Sequence, residues 1–334
     1  MSRAGVEIQH LCISLRDWKT RYHKTRVCLF NSTLLDRNLL RVRYGYFLDE
    51  SVDLAALDTG LFPMPQLEVE RLDPQQRQLL EITRECFESA GEVDYRGASI
   101  GCFVGNFGED WHEMFTKEQQ RHGSYRMTAF MDLILSNRIS YMFDLKGPSM
   151  TIRTGCSASL TALHQGCLAI GRGECSGAII AGCNLIMAPT MTIAMTEQEI
   201  LSPNGSSRTF DADADGYARG EAINAVYIKR LKDALRDGNP IRAVIRSSST
   251  NSDGKTQNMS LPSSEAHESM MRRAYEAAGI TDISRTAFVE CHGTGTPIGD
   301  PIEAVAVGNV FGDKGVYIGS IKPNVSIKRL PRLR

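Results

Sequence analysis

Cys156 stands in the stretch Ser149-Met-Thr-Ile-Arg-Thr-Gly-Cys-Ser-Ala-Ser-Leu-Thr-Ala-Leu163. Met150 to Thr154 has the pattern of a short buried strand. Beyond it, Leu160, Leu163, Cys167 and Ile170 recur at helical spacing. A thiol at such a junction lies near the unpaired N–H groups of a first helical turn, and the positive end of the helix dipole favours thiolate over thiol. Ser157, Ala158 and Ser159 are small and leave room for a substrate. The chemistry this suits is nucleophilic attack, given a base and an oxyanion site. The plainer alternative is one more buried structural cysteine.

A second group of residues follows the predicted strand Thr286–Cys291. His292 opens the loop His292-Gly-Thr-Gly-Thr-Pro-Ile-Gly299, and strand ends are where ligand groups collect in α/β sheets. Its glycines allow close backbone approach, and Thr294 and Thr296 bring hydroxyls. It is not a GxxxxGK phosphate loop, which argues against a nucleotide. Asp300-Pro-Ile-Glu303 has the form of a helix start, with Asp300 as N-cap and Glu303 as its N3 partner. The stretch Val316–Asn324 holds a last strand, with Lys322 just past the strand's end; taken alone it reads as a surface lysine.

Strand and helix patterns alternate around these residues, which predicts an α/β core. Asp73-Pro-Gln-Gln76 starts a helix, with Asp73 as N-cap, Pro74 at N1 and Gln76 as its capping-box partner; its apolar face is Leu79, Leu80, Ile82, Cys86 and Phe87, and it ends at Gly91. Ala98–Gly105 and Gly177–Gly182 are buried strands by length and flanking glycines. Ala222–Lys229 and Ile241–Thr250 also read as strands, and Ser263–Gly279 as a helix. Asn106–Arg121 reads as a loop whose Trp111, His112, Met114 and Phe115 pack. Phe210-Asp-Ala-Asp-Ala-Asp-Gly216 begins like a calcium loop but lacks its closing acid, so it is an acidic loop; no metal site is expected.

The 334 residues, 42% hydrophobic, suffice for one large domain or two smaller ones. A net charge of −1 gives no global field for nucleic acid or membrane, and the apolar runs are too short to span a bilayer. Nine scattered cysteines without a CxxC pair suit a reducing, cytoplasmic compartment. Residues 1–43 differ from the rest, with nine Lys/Arg against three Asp/Glu. They show neither a confident element nor a convincing presequence.

Several stretches, in order, resemble the β-ketoacyl synthase (ketosynthase) family, and within it the ketosynthase domains of fungal highly reducing polyketide synthases. They are Tyr44-Gly-Tyr-Phe-Leu-Asp, Leu72-Asp-Pro-Gln-Gln-Arg, Asn137-Arg-Ile-Ser-Tyr, Gly147-Pro-Ser, Thr154-Gly-Cys-Ser-Ala-Ser, Thr209-Phe-Asp through Arg219-Gly-Glu, and Asn251-Ser-Asp-Gly-Lys. His292-Gly-Thr-Gly-Thr with Gly299-Asp-Pro-Ile-Glu, and Gly319-Ser-Ile-Lys-Pro-Asn, complete the set. The resemblance implies a thiolase-like layered αβαβα fold with duplicated halves. A ketosynthase-like domain would cover 44–324, with an N-terminal half of about 44–235 and a C-terminal half from about 236. It implies an acyltransferase: Cys156 would take an acyl group from an acyl carrier protein. A malonyl unit on a carrier would lose carbon dioxide and attack that thioester, in polyketide or fatty-acid synthesis. His292 would polarise the malonyl carbonyl, Thr294 and Thr296 would hold the phosphopantetheine arm, and Lys322 would pair with Glu303. The family works as a homodimer, with no cofactor of its own.

The ends depart from this pattern. The second catalytic histidine of the family falls on Ile327, the glycine before it on Ser326, and a glycine-rich oxyanion loop is missing. The family's opening strand is not recognised within residues 1–43, and Arg153 stands where the family has Asp. The expectation is therefore a fold incomplete at its C-terminus, with divergent basic segments at 1–43 and 325–334, as from a misread gene. The alternatives are a catalytically impaired fragment, or a simple acyl-transfer or hydrolase activity on Cys156 and His292.

Overall fold

The strand Ile100–Asn106 is buried along its whole length, because both faces of its sheet are covered. In the computed structural model, which describes residues 11–14, 23–26, 42, 44–49, 51–117 and 125–323, it is the second strand of a six-stranded sheet. The order is Ser149–Ile152, Ile100–Asn106, Gly177–Asn184, Ala222–Arg230, Leu11–Ser14 and Ala243–Ile245. The first three are parallel and the others join antiparallel. Side chains alternate across such a sheet. Ile228 therefore packs with Ala162, Cys167 and Ile170 of the helix Ala158–Arg172, while Tyr227 meets Phe87 of the helix Pro74–Ala90 on the opposite face.

The helix Pro74–Ala90 begins as its sequence predicts. Asp73 is the N-cap, its carboxylate accepts from Gln75 N at 2.8 Å, and Pro74 opens the first turn. Gly91 closes it with φ +65°. Gln76 does not complete a capping box. Its amide donates to the carbonyls of Thr128 and Ala129, and its oxygen accepts from the buried Arg138. The long-range guanidinium outcompetes the local backbone N–H.

Three other expectations change. Ser149–Ile152 is not a buried strand: it is terminal in its sheet and Met150 is exposed. Residues Asp110–Lys117 form a helix rather than a loop, with Trp111 against Phe115 and Phe115 stacked on Phe130. The segment 1–43, expected to hold no element, supplies the strand Leu11–Ser14 to the sheet and His23–Arg26 to a pair with Tyr44–Phe47.

The described residues fall into two units that interleave along the chain. One lies within 1–19, 50–186 and 221–248 and holds the six-stranded sheet; the other lies within 20–49, 187–220 and 249–334. In the second, Phe288–Glu290 and Tyr317–Gly319 pair in parallel. The helices Ser264–Ala277 and Gly299–Phe311 pack through Met271, Tyr275, Val307 and Phe311. Ser263, placed inside the predicted helix, is instead its N-cap and accepts from Ala266 N.

Candidate active site

Cys156 lies in a single 3₁₀ turn, Gly155–Ser157, between the terminal strand and the helix Ala158–Arg172. The turn depends on Gly155, whose φ of +64° strains any side-chain-bearing residue. The N-cap Ser157 makes no capping bond; its hydroxyl turns back to Thr154 O at 2.9 Å. The N–H groups of the first turn are thus not taken by that side chain. Cys156 is exposed, whereas Cys86, Cys102, Cys167, Cys175, Cys183 and Cys291 are buried. Burial pushes the Cys86 and Cys102 thiols up to about 12, so these sulfurs stay protonated and unreactive.

Of the apolar face predicted for the helix, Cys167 and Ile170 are buried and Leu163 packs beside them, but Leu160 is not covered. Leu160 is 69% exposed, and the buried stripe is Ala158, Ala162, Gly166 and Ala169 with Cys167 and Ile170. Small residues let the helix lie close on the sheet. A Cβ on Gly166 would sit 2.4 Å from Ile180 Cδ1, and one on Gly105 would sit 2.4 Å from Ser159 N.

In the second unit, His292 follows the strand Phe288–Glu290, and Cys291 N still bonds to Gly319 O. Two carboxylates hold the loop that begins there. Glu303 accepts from His292 N at 2.6 Å and from Gly293 N at 2.8 Å. The buried Asp300 accepts from Gly295 N at 3.0 Å and from Phe210 N at 2.7 Å. Thr294 and Thr296 bring their hydroxyls within 3.2 Å of each other, and Thr296 accepts from Gly299 N. Lys322 Nζ donates to His292 O. The imidazole keeps part of its surface, yet surrounding protein lowers its pKa by desolvation first. The Lys322 charge lowers it further, against the Glu303 and Asp300 carboxylates.

Two expectations are corrected here. Lys322 does not pair with Glu303: among the described residues no ion pair joins them, and each grips the backbone of His292, one at its carbonyl and the other at its N–H. Asp300 is not an N-cap. The helix starts at Gly299 after Ile298, and the carboxylate turns into the loop to satisfy two N–H groups. The sequence reading missed Thr209, whose hydroxyl donates to Gly293 O, and Glu290, which accepts from Ile321 N at 2.6 Å just before Lys322. Thr209 lay within a stretch quoted for the resemblance, but nothing local marked its role. Asn324, Ser326, Ile327 and the basic tail 325–334 lie outside the described residues. Among the described residues no group of three His, Cys, Asp or Glu is arranged to hold a metal.

Comparison with known proteins matches this arrangement to one family. The β-ketoacyl synthase N-terminal domain matches residues 30–234 and the β-ketoacyl synthase C-terminal domain matches residues 242–326. The chain belongs to the β-ketoacyl synthase family. It is 63% identical over 282 residues to the highly reducing polyketide synthase sphB of Aspergillus fumigatus, covering 84% of this chain and 11% of that protein. It is 62% identical over 283 residues to the highly reducing polyketide synthase VdtX of Byssochlamys spectabilis, covering 85% and 13%. The chain thus spans about a tenth of the length of these relatives. Among solved structures, the oxazolomycin ketosynthase domain OzmH KS7 of Streptomyces albus JA3453 superposes with a TM-score of 0.83. It is 28% identical, and the match covers 95% of this chain and 59% of that one. The mixed α/β fold is that of the thiolase-like ketosynthases.

Proposed function

We propose that this chain carries out the condensing step of a polyketide synthase. Cys156 attacks an acyl thioester on a carrier protein; the acyl group moves to sulfur and the carrier thiol leaves. A malonyl thioester on the carrier then loses carbon dioxide, and the resulting enolate attacks acyl-Cys156. The product is a β-ketoacyl carrier and the Cys156 thiolate is regenerated. His292, with its pKa lowered, is neutral near pH 7 and donates a hydrogen bond to the developing enolate oxygen. The observation that carries this reading is the exposed Cys156 at a strand-to-helix turn in a chain of this family.

The phosphopantetheine arm of the carrier is the substrate handle, and Thr294 and Thr296 are proposed to bind it. A groove of about 760 Å³, whose lining includes Lys255, Thr256, Leu261, Pro262, Ile298 and Ile302, is a suitable approach. A ketosynthase-like domain over 44–324, divided into halves at about 235, is proposed; the two family matches, 30–234 and 242–326, support it. A homodimer is proposed from the terminal strand Ser149–Ile152, whose outer edge offers a ladder to a second copy. The unpaired thiols suit a reducing cytoplasm. No helix among the described residues is long and apolar enough to cross a membrane.

Intact mass after incubation with an acyl thioester, beside Cys156→Ala, tests the first half-reaction. A mass gain in the wild type alone is expected. Malonyl carrier protein added to the acylated enzyme then tests extension. Acylation without a β-keto product leaves simple acyl transfer, and no acylation of a folded chain removes the reading.

A further inference from the structure

The terminal strand ends its ladder at Ile152, paired with Gly105, and nothing pairs with it on its other side within the described sheet. The next residue, Arg153, is the last before Thr154 and the Gly155–Cys156 turn. Its Nη1 meets two carboxylates from separate segments. One is Glu109, just beyond the end of the strand Ile100–Asn106. The other is Asp132, at 3.0 Å, after the short helix Arg126–Phe130. The three charged groups border a cavity of about 220 Å³, which Asp73, Asn106 and Phe130 also line. The segment carrying Glu109 touches the Cys156 helix again at Gly105, against the backbone of Ala158 and Ser159. The turn is therefore braced at both ends by one segment, through van der Waals contact after Cys156 and through Arg153 before it.

We propose that Arg153 is a positioning residue for Cys156: by bridging Glu109 and Asp132 it fixes the backbone from which the Gly155–Cys156 turn hangs. The inference rests on the reading of Cys156 as the acylated nucleophile. Half-exposed ion pairs of this kind add little to global stability, whereas a misplacement of about 1 Å in a reacting group lowers rates by up to ~10²-fold. The effect should therefore appear in Cys156 reactivity and not in melting temperature. The same two carboxylates disfavour an aspartate at this position. A third carboxylate beside Glu109 and Asp132 would repel both.

The test compares Arg153→Lys, Arg153→Met, Arg153→Asp and the double variant Glu109→Gln/Asp132→Asn in the full chain. Two rates are read: acylation of Cys156 by a short acyl thioester, from intact mass, and alkylation of Cys156 by iodoacetamide, from peptide mass. Arg153→Met should slow acylation by about tenfold or more with an unchanged melting temperature. Arg153→Lys should restore much of the rate, and Arg153→Asp should be the slowest. The double variant keeps the Arg153 charge and removes only its anchors, so it should fall with Arg153→Met. A double variant at or above the wild-type rate would overturn positioning and leave a mere charge effect on the thiolate. Wild-type rates in every variant would also overturn it, as would losses that track unfolding. If the wild type is not acylated but alkylation follows the same order, the brace stands and the proposed function fails.

Discussion

The Cys156 turn and the His292 loop are both short glycine-bearing links from a strand to a helix, yet they are held by opposite means. Around Cys156 the helix is held sterically, with the Arg153 ion pairs acting only before the turn: Gly155 is left-handed, and Gly105 and Gly166 leave no room for a methyl group between helix and sheet. Around His292 the constraint is polar: Glu303 and Asp300 together accept from four backbone N–H groups. The difference follows from neighbours. The Cys156 helix lies on a sheet covered on both faces, where distance sets geometry. Among the described residues the His292 loop follows a two-stranded pair, and directed bonds from its own following helix fold it back. A nucleophile needs a clear approach with few polar neighbours. A hydrogen-bond donor needs its ring orientation held by its backbone.

The largest expected effect breaks the steric side. Gly105→Ala places a methyl group 2.4 Å from Ser159 N and 2.5 Å from Ala158 C, both backbone atoms that cannot rotate away. Overpacking of this kind costs about 3 kcal/mol. Urea unfolding should show that loss, together with slower Cys156 acylation. An unchanged midpoint would mean that the helix is free to lift, and the steric account would fail.

The polar side breaks at Asp300. Asp300→Ala leaves Gly295 N and Phe210 N without their acceptor at a buried position, which costs about 2 kcal/mol. Asp300→Asn should not rescue it, because one of the two N–H groups would then face an amide donor. Glu303→Ala, at a less buried position, should cost less in the same unfolding assay.

These two regions also divide what was legible in the sequence. Asp73-Pro74 announced a helix start, and Gly155-Cys156 a strand-to-helix change, because capping and periodicity are local properties. The exposed Leu160 was not legible, since the sheet and not the helix chooses the buried face, and it selected alanine and glycine. Gln76 looked like a capping partner until Arg138, 62 residues away, claimed it. Asp300 looked like a cap because its neighbours Pro301 and Glu303 fit the pattern, while its real partner, Phe210 N, is 90 residues distant. The strand Leu11–Ser14 is four residues long, and its antiparallel neighbours lie more than two hundred residues later. The candidate site residues and their order were visible from the chain; their supports, being non-local, were not.

A buried acid in the first unit sharpens the comparison through its pH dependence. Asp73 is 5% exposed, and desolvation raises its pKa from 3.8 to about 6 despite the bonds from Gln75. The folded state therefore binds this proton more tightly than the unfolded chain. Its contribution is fully present below about pH 4 and is lost as pH rises through 6. An asparagine at this position would keep an N-cap acceptor without the titration. Asp73→Asn should gain on the wild type by up to roughly 3 kcal/mol between pH 4 and pH 6 in urea unfolding. A constant difference across that range would show that the carboxyl is better solvated than its packing implies.

The smallest effect is read at His292 itself. Desolvation is the main cause of its lowered pKa, the Lys322 ammonium adds to it, and the Glu303 and Asp300 carboxylates oppose it. Ring resonances assigned with His292→Gln should titrate at higher pH in Lys322→Met and at lower pH in Glu303→Gln. The two shifts must be opposite, although both variants remove a bond to the same residue's backbone. If both variants moved the titration upward, loosening of the loop and exposure of the ring would be the common cause. The charges would then matter only as backbone anchors. Opposite shifts would mean that the two groups which hold the His292 backbone also tune its ring.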